Sequence, residues 1–585
     1  MTSTTPSVLE IKPNRLLLDS SFDGYKLSLE EIPVSRKNLE TPVDKILLNS
    51  SQYSFLHAKL FGLHNHLISD KYDGFNSVYF IDKSLNVQKT YIDSYTHDLI
   101  NPITVYSIPR PREQKSGDYN VTFCFASPQL AVVSDGMGTI YILGTRDKKD
   151  DDSFETLFAG KVLDNEEQGF LVTDAMYHES SNQLHVLLLH IEEDPIERFV
   201  SVIHWLTFKE IKDVSDSWGQ TALRRLKTKG EIQYLHLEEE GDHIYIVSEN
   251  DIRFELNSEH PVNTEEDNTS SNSTTKDYKW SQTLEDISVE FSLPEDAEKT
   301  LINVKTEVDK INIEYGTKVL LAGELHEKID PNLTTWTVEP NNLLVVNLNK
   351  QENSEFWNEL VKGDTKGEYV LNSCIIDQVN DTVGRFRSDG QQTETTPQSG
   401  TTFNSQQIEE CDFESDKSET FSRISSITNS TTHKIHLGSH QVILKPYLNS
   451  HHSRALGIRH DVDVCLWQPF LESGNFEIKH EGTLLAFGYV QASKQNRKFV
   501  TCSPNLEYAV ICETSGHIFI YKQNKPLLSV QLRNRTTGRR IKNIAQQQVF
   551  NLPNQDIHGL FASNTHLFLL GEDFILSLRI CNPTQ

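Results

Sequence analysis

Tyr278-Lys279-Trp280-Ser281-Gln282-Thr283, followed by Asp286-Ile287-Ser288-Val289-Glu290-Phe291-Ser292-Leu293-Pro294, decides how the middle of this chain folds. Ile287, Val289, Phe291 and Leu293 alternate with Asp286, Ser288, Glu290 and Ser292. Period two with one apolar face is the pattern of a half-buried strand. Lys310-Ile311-Asn312-Ile313-Glu314-Tyr315 alternates in the same way and stops at Gly316. Val319, Leu320 and Leu321 precede Gly323, Trp336 and Val338 sit two apart, and Leu343-Leu344-Val345-Val346-Asn347-Leu348 reads as a buried strand ending near Lys350. Short strands, turn residues between them and almost no helical period predict a small antiparallel β-sandwich from Tyr278 to Asp364.

The same residues carry a family resemblance. Tyr278-x-Trp280-x-Gln282-Thr283, the strand ending at Leu293-Pro294, the Gly323-Glu324-Leu325 step and Trp336 resemble the CS domain of the NudC type, as does Lys350 followed by Phe356-Trp357-Asn358-Glu359-Leu360. Phe356-Trp357 stands where the family often has two tryptophans. Flanking segments extend the resemblance to the NudC-like family over nearly the whole chain. They are Leu16-Leu17-Leu18-Asp19 and Phe22 to Leu29 near the start, then Arg459 to Asp463, Leu466 to Pro469 and Leu485 to Lys494.

Outside this stretch, short apolar runs end at Gly, Asp or Asn. Ser77 to Asp82, Thr139 to Gly144, Leu184 to His190, Phe199 to Phe208, His243 to Val247, His566 to Gly571 and Phe574 to Arg579 form the series. Strands at this spacing belong to sandwiches, barrels or propellers. Self-similarity chooses among them. Ser127-Pro128-Gln129-Leu130 leads to Ala131-Val132-Val133, the turn Ser134 to Gly138, and Thr139-Ile140-Tyr141-Ile142. Ser503-Pro504-Asn505-Leu506 leads to Tyr508-Ala509-Val510-Ile511, the turn Thr514 to Gly516, and His517-Ile518-Phe519-Ile520-Tyr521. Each copy reads as the middle of a propeller blade. One lies before the central stretch and one after it. The fold expected is therefore mainly β: a β-propeller split by an inserted CS-type antiparallel β-sandwich. About 400 residues at roughly 40–55 per blade allow about seven to nine blades, with seven favoured. Two separate β domains are the alternative. Strands at both ends of the chain allow its first and last segments to share a blade and remove an open edge. The boundaries read as 1–256 for the first part of the propeller, 257–275 for a polar linker, 276–364 for the CS domain, 365–429 for an acidic and polar linker, and 430–585 for the remaining propeller.

With 585 residues the chain exceeds one ordinary core. A net charge of −28 argues against a general binder of nucleic acid or anionic membrane. Seven cysteines, an odd and irregular set with no Cys-x-x-Cys pair, read as reduced thiols. Neither a secretory signal nor a run of about 20 apolar residues is visible.

Catalytic, metal and cofactor constellations are not expected. His460-Asp461-x-Asp463 lacks partners at ligand spacing and reads as a turn. His451-His452 reads as loop. Gly136-x-Gly138 opens no helix and lacks a third glycine. Six residues are candidates for protein contact. Trp280, Trp336 and Trp357 are expected in or near the sandwich core, and Trp357, after the last strand, is the best exposed candidate. Lys350 either reaches water at a strand end or meets an acidic partner. Ile408 and Phe413 bound a mixed apolar and acidic segment, either a docking peptide or the point where the propeller resumes. Arg539 and Arg540 head the one basic cluster, read as a hairpin loop, a contact for an acidic partner or RNA, or an import signal. No exposed aromatics are interleaved there, so direct nucleic-acid binding is not expected.

The resemblance implies a function that composition cannot give. NudC-type CS domains are linked to heat-shock ATPase chaperones of the ninety-kilodalton class, and NudC proteins are viewed as co-chaperones for clients that are often propellers. It therefore implies a non-enzymatic co-chaperone or adaptor, cytoplasmic and nuclear, without membrane insertion. A DEAH-box RNA helicase and a vesicle-coat protein are further partners it implies. The alternative is a scaffold in RNA processing or trafficking without a chaperone role.

Overall fold

Seven sheets, each antiparallel through its four-stranded core, follow one another along the larger part of the chain, and an eighth and ninth form a separate unit inside it. This is seen in a computed structural model that describes residues 6–582 apart from 21, 47–51, 53, 110–111, 114, 116, 146–152, 195–197, 212–216, 263–277, 284–285, 295–296, 298, 317, 340–341, 352–356, 358–359, 363, 365, 370–418, 439, 441, 473, 495 and 527–542. The larger unit comprises Met1–Val262 with Asp412–Gln585, and the smaller one Asn263–Cys411. The chain is mainly β and propeller-like. Among the described residues no helix is long and apolar enough to cross a membrane.

Each sheet of the larger unit has a core of four strands. The first runs from Ile68–Ser69 to Ile103–Ser107, the second from Thr122–Ser127 to Glu155–Lys161, and the third from Leu171–His178 to Ser217–Lys229. The fifth spans Val442–Leu444 to Asn475–Leu484, and the sixth Arg497–Cys502 to Asn543–Asn551. The seventh joins Gly559–Ala562, His566–Leu570 and Phe574–Arg579 to a strand from the other end of the chain, Val34–Asn38. First and last segments thus share a sheet, which removes an open edge.

Leu130–Ser134 and His566–Leu570 are buried at every residue, because each sheet is covered on both faces. That is why these strands read as unbroken apolar runs while the sandwich strands alternate. Apolar clusters fill the gaps in strict order. One lies between the first and second sheets, around Tyr79 and Phe123, and others join second to third, third to fourth, fourth to fifth, fifth to sixth and sixth to seventh. A last cluster, with Val78 and Phe80 against Phe568 and Ile575, joins the seventh sheet to the first.

The two self-similar stretches fall on the second and third strands of the second and sixth sheets. Their turn glycines are both left-handed, Gly136 at φ +71° and Gly516 at φ +81°. A Cβ would meet the Tyr119 carbonyl oxygen at 1.9 Å in the first and that of Leu552 at 2.2 Å in the second.

The smaller unit interrupts the fourth sheet between its second and third strands. His243–Ser248 pairs directly with Glu419–Ser425, Val247 opposite Phe421. Glu419–Ser425 corrects the linker expected up to residue 429: paired on both sides within the fourth sheet and buried at every residue from Phe421 to Ser425, this segment is ordered despite its polar composition. Before leaving, the chain adds Arg253–Asn257 to the outer edge of the third sheet. Asn257 Nδ2 donates to the Ser426 carbonyl at 2.7 Å and to Asn429 Oδ1 at 2.6 Å, clasping departing and returning segments together.

A buried ion pair also spans the interruption. Arg423 donates from Nε and Nη2 to the two Glu238 oxygens at 2.6 and 2.7 Å, and Tyr245 Oη donates to Oε1 at 2.6 Å. His243 Nδ1 lies 3.0 Å from Oε2. Burial pushes the Glu238 carboxyl up, but these neighbours outweigh it and bring its pKa down to about 2.

Candidate protein-interaction site

The smaller unit is a two-sheet sandwich. One sheet orders the strands Ile329–Glu339, Leu343–Lys350, Asp286–Ser292, Tyr278–Gln282 and Gly367–Tyr369, the last two parallel. The other holds Ile302–Thr306, Lys310–Tyr315 and Lys318–Glu324. Ile287, Val289, Phe291, Ile311 and Ile313 point inward, as their alternation requires, into a core with Tyr278, Trp280 and Trp357. The parallel strand lies beyond the expected end at Asp364. It is held there because Tyr278 Oη donates to Asp364 Oδ2 at 2.6 Å and Gly367 leaves room for the Tyr278 ring.

Gln282 organises the residues singled out at the end of the sandwich. Its Nε2 donates to the Trp357 carbonyl at 2.8 Å, and its Oε1 accepts from the Trp357 backbone N–H and from Lys350 Nζ, both at 2.8 Å. Lys350 Nζ also donates to the Thr283 carbonyl at 2.9 Å and lies 5.8 Å from the Trp357 ring centroid. Burial lowers the pKa of this ammonium. Lys350 is 2 % exposed and Trp357 4 %. Neither is offered to a partner in this arrangement. They fasten the segment after the last long strand to the first strand, because a buried ammonium must find acceptors and Gln282 and Thr283 supply them.

The exposed tryptophan among the described residues is Trp336, at 38 %, where the sequence places it in or near the core. Its register partner Val346 is fully buried, so Trp336 starts from the inward face of the sheet. Strand Ile329–Glu339 is an edge strand, however, and the neighbouring sheet ends beside it with its own edge strand Ile302–Thr306. Trp336 thus stands at the margin of its sheet, on the strand that approaches the other sheet's edge. Leu333, on the same strand, and Leu301, in the short turn Lys299–Leu301 just before Ile302–Thr306, are exposed, and so is Val308, whose carbonyl accepts from the Ile329 N–H at 2.9 Å. Between Asp330 and Thr335 the register shifts, leaving Pro331 to Thr334 outside the pairing. The result is an exposed apolar margin beside a strand that, among the described residues, pairs on one side only, which suits an extended or partly folded polypeptide. Period-two reading missed it: alternation assigns a face, but not how near the margin of its sheet a residue stands.

The other candidates separate. Ile408, Phe413, Arg539 and Arg540 lie outside the described residues. His460 and Asp463 flank a tight turn with Asp461 at φ +53°, and Asp463 Oδ1 accepts from the Ala486 N–H at 2.6 Å. Among the described residues no group of three or more His, Cys, Asp or Glu side chains is placed to hold a metal. Among the described residues, Cys124, Cys465, Cys502 and Cys512 form no disulfide.

Comparison with known proteins follows the same division. The CS domain family matches residues 276–350. Over its whole length the chain is similar to NudC domain-containing protein 1 of Mus musculus, 31% identical over 581 residues, covering 97% of this chain and 98% of the mouse protein. It is 32% identical over 583 residues to the protein of that name from Xenopus tropicalis, covering 96% of each. Among solved structures, the Cps50 (Swd1) β-propeller domain of Myceliophteria thermophila covers 88% of this chain and 96% of its own at 8% identity and a TM-score of 0.30. At so low a score the architecture rests on the sheet order and the apolar clusters above.

Proposed function

This chain belongs to the family of NudC domain-containing protein 1, and on that premise and the geometry above we propose that it is a non-enzymatic co-chaperone or adaptor. Family membership points to a co-chaperone-like role. In the finer reading, the sandwich engages a heat-shock ATPase chaperone of the ninety-kilodalton class or a client, and the larger unit holds a specific protein partner in the cytoplasm or nucleus. The observation that carries this is the exposed margin of Trp336, Leu301 and Leu333, because exposed aromatic and aliphatic side chains beside an open strand edge bind polypeptide. We further infer that the seven sheets close into a seven-bladed β-propeller. The unbroken order of the seven apolar clusters, with the last returning to the first sheet, supports that closure. Two binding surfaces on one chain raise the effective concentration of one partner near the other.

A quantitative affinity pull-down tests the proposal. The full chain is compared with Trp336→Ser and with a form in which a flexible linker replaces 276–364. Both changes are expected to remove the chaperone or client and leave other partners in place. Loss with the deletion but not with Trp336→Ser moves the contact elsewhere on the sandwich. If no chaperone or client accompanies even the full chain, the co-chaperone reading fails and the retained partners favour a scaffold.

A further inference from the structure

A groove on the larger unit carries an inference that does not depend on the sandwich. The helix Phe55–Gly62, capped by Ser54 Oγ accepting from the His57 N–H, was not legible among the surrounding strands. Its buried side holds His57 against Phe199 and Phe61 with Tyr119 and Leu171, and Lys59 pairs with Glu231. The opposite side turns Phe55, Ala58 and Gly62 outward, three and four residues apart, followed by Leu63. Phe55 is 70 % exposed and Leu63 50 %. Between this side and the sixth sheet lies a groove of about 620 Å³, with Arg497, Lys498 and Asp556 on its other wall.

Its charge identifies the occupant. Three cations, Lys59, Arg497 and Lys498, face one carboxylate, on a chain whose net charge is −28. Asp556 is already matched by Lys498 at 2.8 Å and Lys45 at 3.5 Å, and Lys59 by Glu231. Arg497 is exposed, and among the described residues its guanidinium donates to the Gln491 carbonyl at 3.3 Å and makes no ion pair, the carboxylate opposite it in the strand pair, Glu513, being taken by Ser515 Oγ at 3.1 Å and lying 3.8 Å from His517 Nδ1. One uncompensated guanidinium beside an exposed phenylalanine and leucine is too little charge for a phosphate backbone, which needs several cations. It is the pairing of aromatic, aliphatic and arginine that anchors peptides. We propose that this groove docks a short acidic segment of a partner protein, a bulky apolar side chain seating on Phe55 and Leu63 and a carboxylate on Arg497.

Fluorescence anisotropy on the full chain tests this, with a fluorescein-labelled peptide bearing a leucine–phenylalanine pair flanked by aspartates and glutamates. Saturable binding is expected, weakening as salt rises. Arg497→Glu is expected to weaken it about tenfold or more, Leu63→Ser and Phe55→Ser likewise, with far-UV circular dichroism unchanged because all three side chains are exposed. Peptides with lysines in place of the acids, or serines in place of the apolar pair, are expected not to compete. A chain lacking 276–364 is expected to bind as well as the full chain, which keeps this test separate from that of the sandwich. The proposal is overturned if the acidic peptide does not bind, if Arg497→Glu binds it equally, or if single-stranded RNA displaces it from the same site.

Discussion

Replacing Glu238 by Gln is expected to loosen the fourth sheet where the smaller unit interrupts it. Glu238 is 0 % exposed and Arg423 8 %, so the substitution leaves a buried guanidinium without its counter-charge. Removing one partner of a buried pair costs about 3–5 kcal/mol. The depressed Glu238 carboxyl gives a second figure of the same order: its pKa is brought down from 4.5 to about 2, and at about 1.36 kcal/mol for each pH unit that gap corresponds to about 3 kcal/mol. Because the folded value is depressed, this stabilisation is complete above pH 4.5 and is lost as pH falls from 4.5 towards 2. The two figures agree on a loss of about 3–5 kcal/mol at pH 7. The assay is native-state hydrogen exchange, read on peptides covering 243–248 and 419–425, alongside urea unfolding. Amides that exchange through opening of this sheet should speed up roughly a hundred- to a few-thousandfold at pH 7. The gap between variant and wild type in urea should narrow steadily as pH falls below 4.5. A double change, Glu238→Leu with Arg423→Met, should cost less than either charge removal alone, since no buried charge is then left over. The reasoning is refuted if Glu238→Gln stays within about 1 kcal/mol of wild type at pH 7, or if the gap is the same at pH 3.

Glu419, the first residue of the returning strand, is 5 % exposed, and burial with the Glu249 and Glu231 carboxylates raises its pKa to about 7. Its folded value lies above its unfolded one, so its contribution is complete below pH 4.5 and lost as pH rises through 7. Glu419→Gln should remove this dependence and gain about 3 kcal/mol at pH 8.5, read as urea midpoints at pH 5.5 and 8.5. Trp357→Ala should cost the sandwich about 3–5 kcal/mol and Trp336→Ala under about 1, read by chemical unfolding. Equal costs would contradict the burial difference. Gly136→Ala should destabilise by about 3 kcal/mol or more, since the added Cβ meets a backbone carbonyl and the backbone is left-handed. An unchanged thermal midpoint would show that this turn can shift.

Much of the fold follows from local sequence. Ile287, Val289, Phe291, Ile311 and Ile313 alternate because one face meets a core, and they are buried as that pattern demands. The all-apolar runs at Leu130 and His566 mark strands covered on both faces, and the repeated Ser-Pro-x-Leu and glycine-turn string placed Gly136 and Gly516 between second and third strands. Period and turn chemistry are properties of neighbouring residues, so sequence alone determines them. What lies across space was not legible. Lys350 and Trp357 looked available because each stands at the end of an element, yet Gln282, some 70 residues earlier, draws both inside. Trp336 reads as core because it alternates with Val338, but it stands on an edge strand at the margin of its sheet and is exposed. Glu419 to Ser425 looked like linker because the segment is polar, and only the pairing of Val247 with Phe421 and of Arg423 with Glu238 makes it a strand. Exposure depends on how far the facing layer extends, and the burial of a charge on whether a distant partner meets it. Local sequence determines the strands and their faces here, while tertiary packing decides which residues reach a partner.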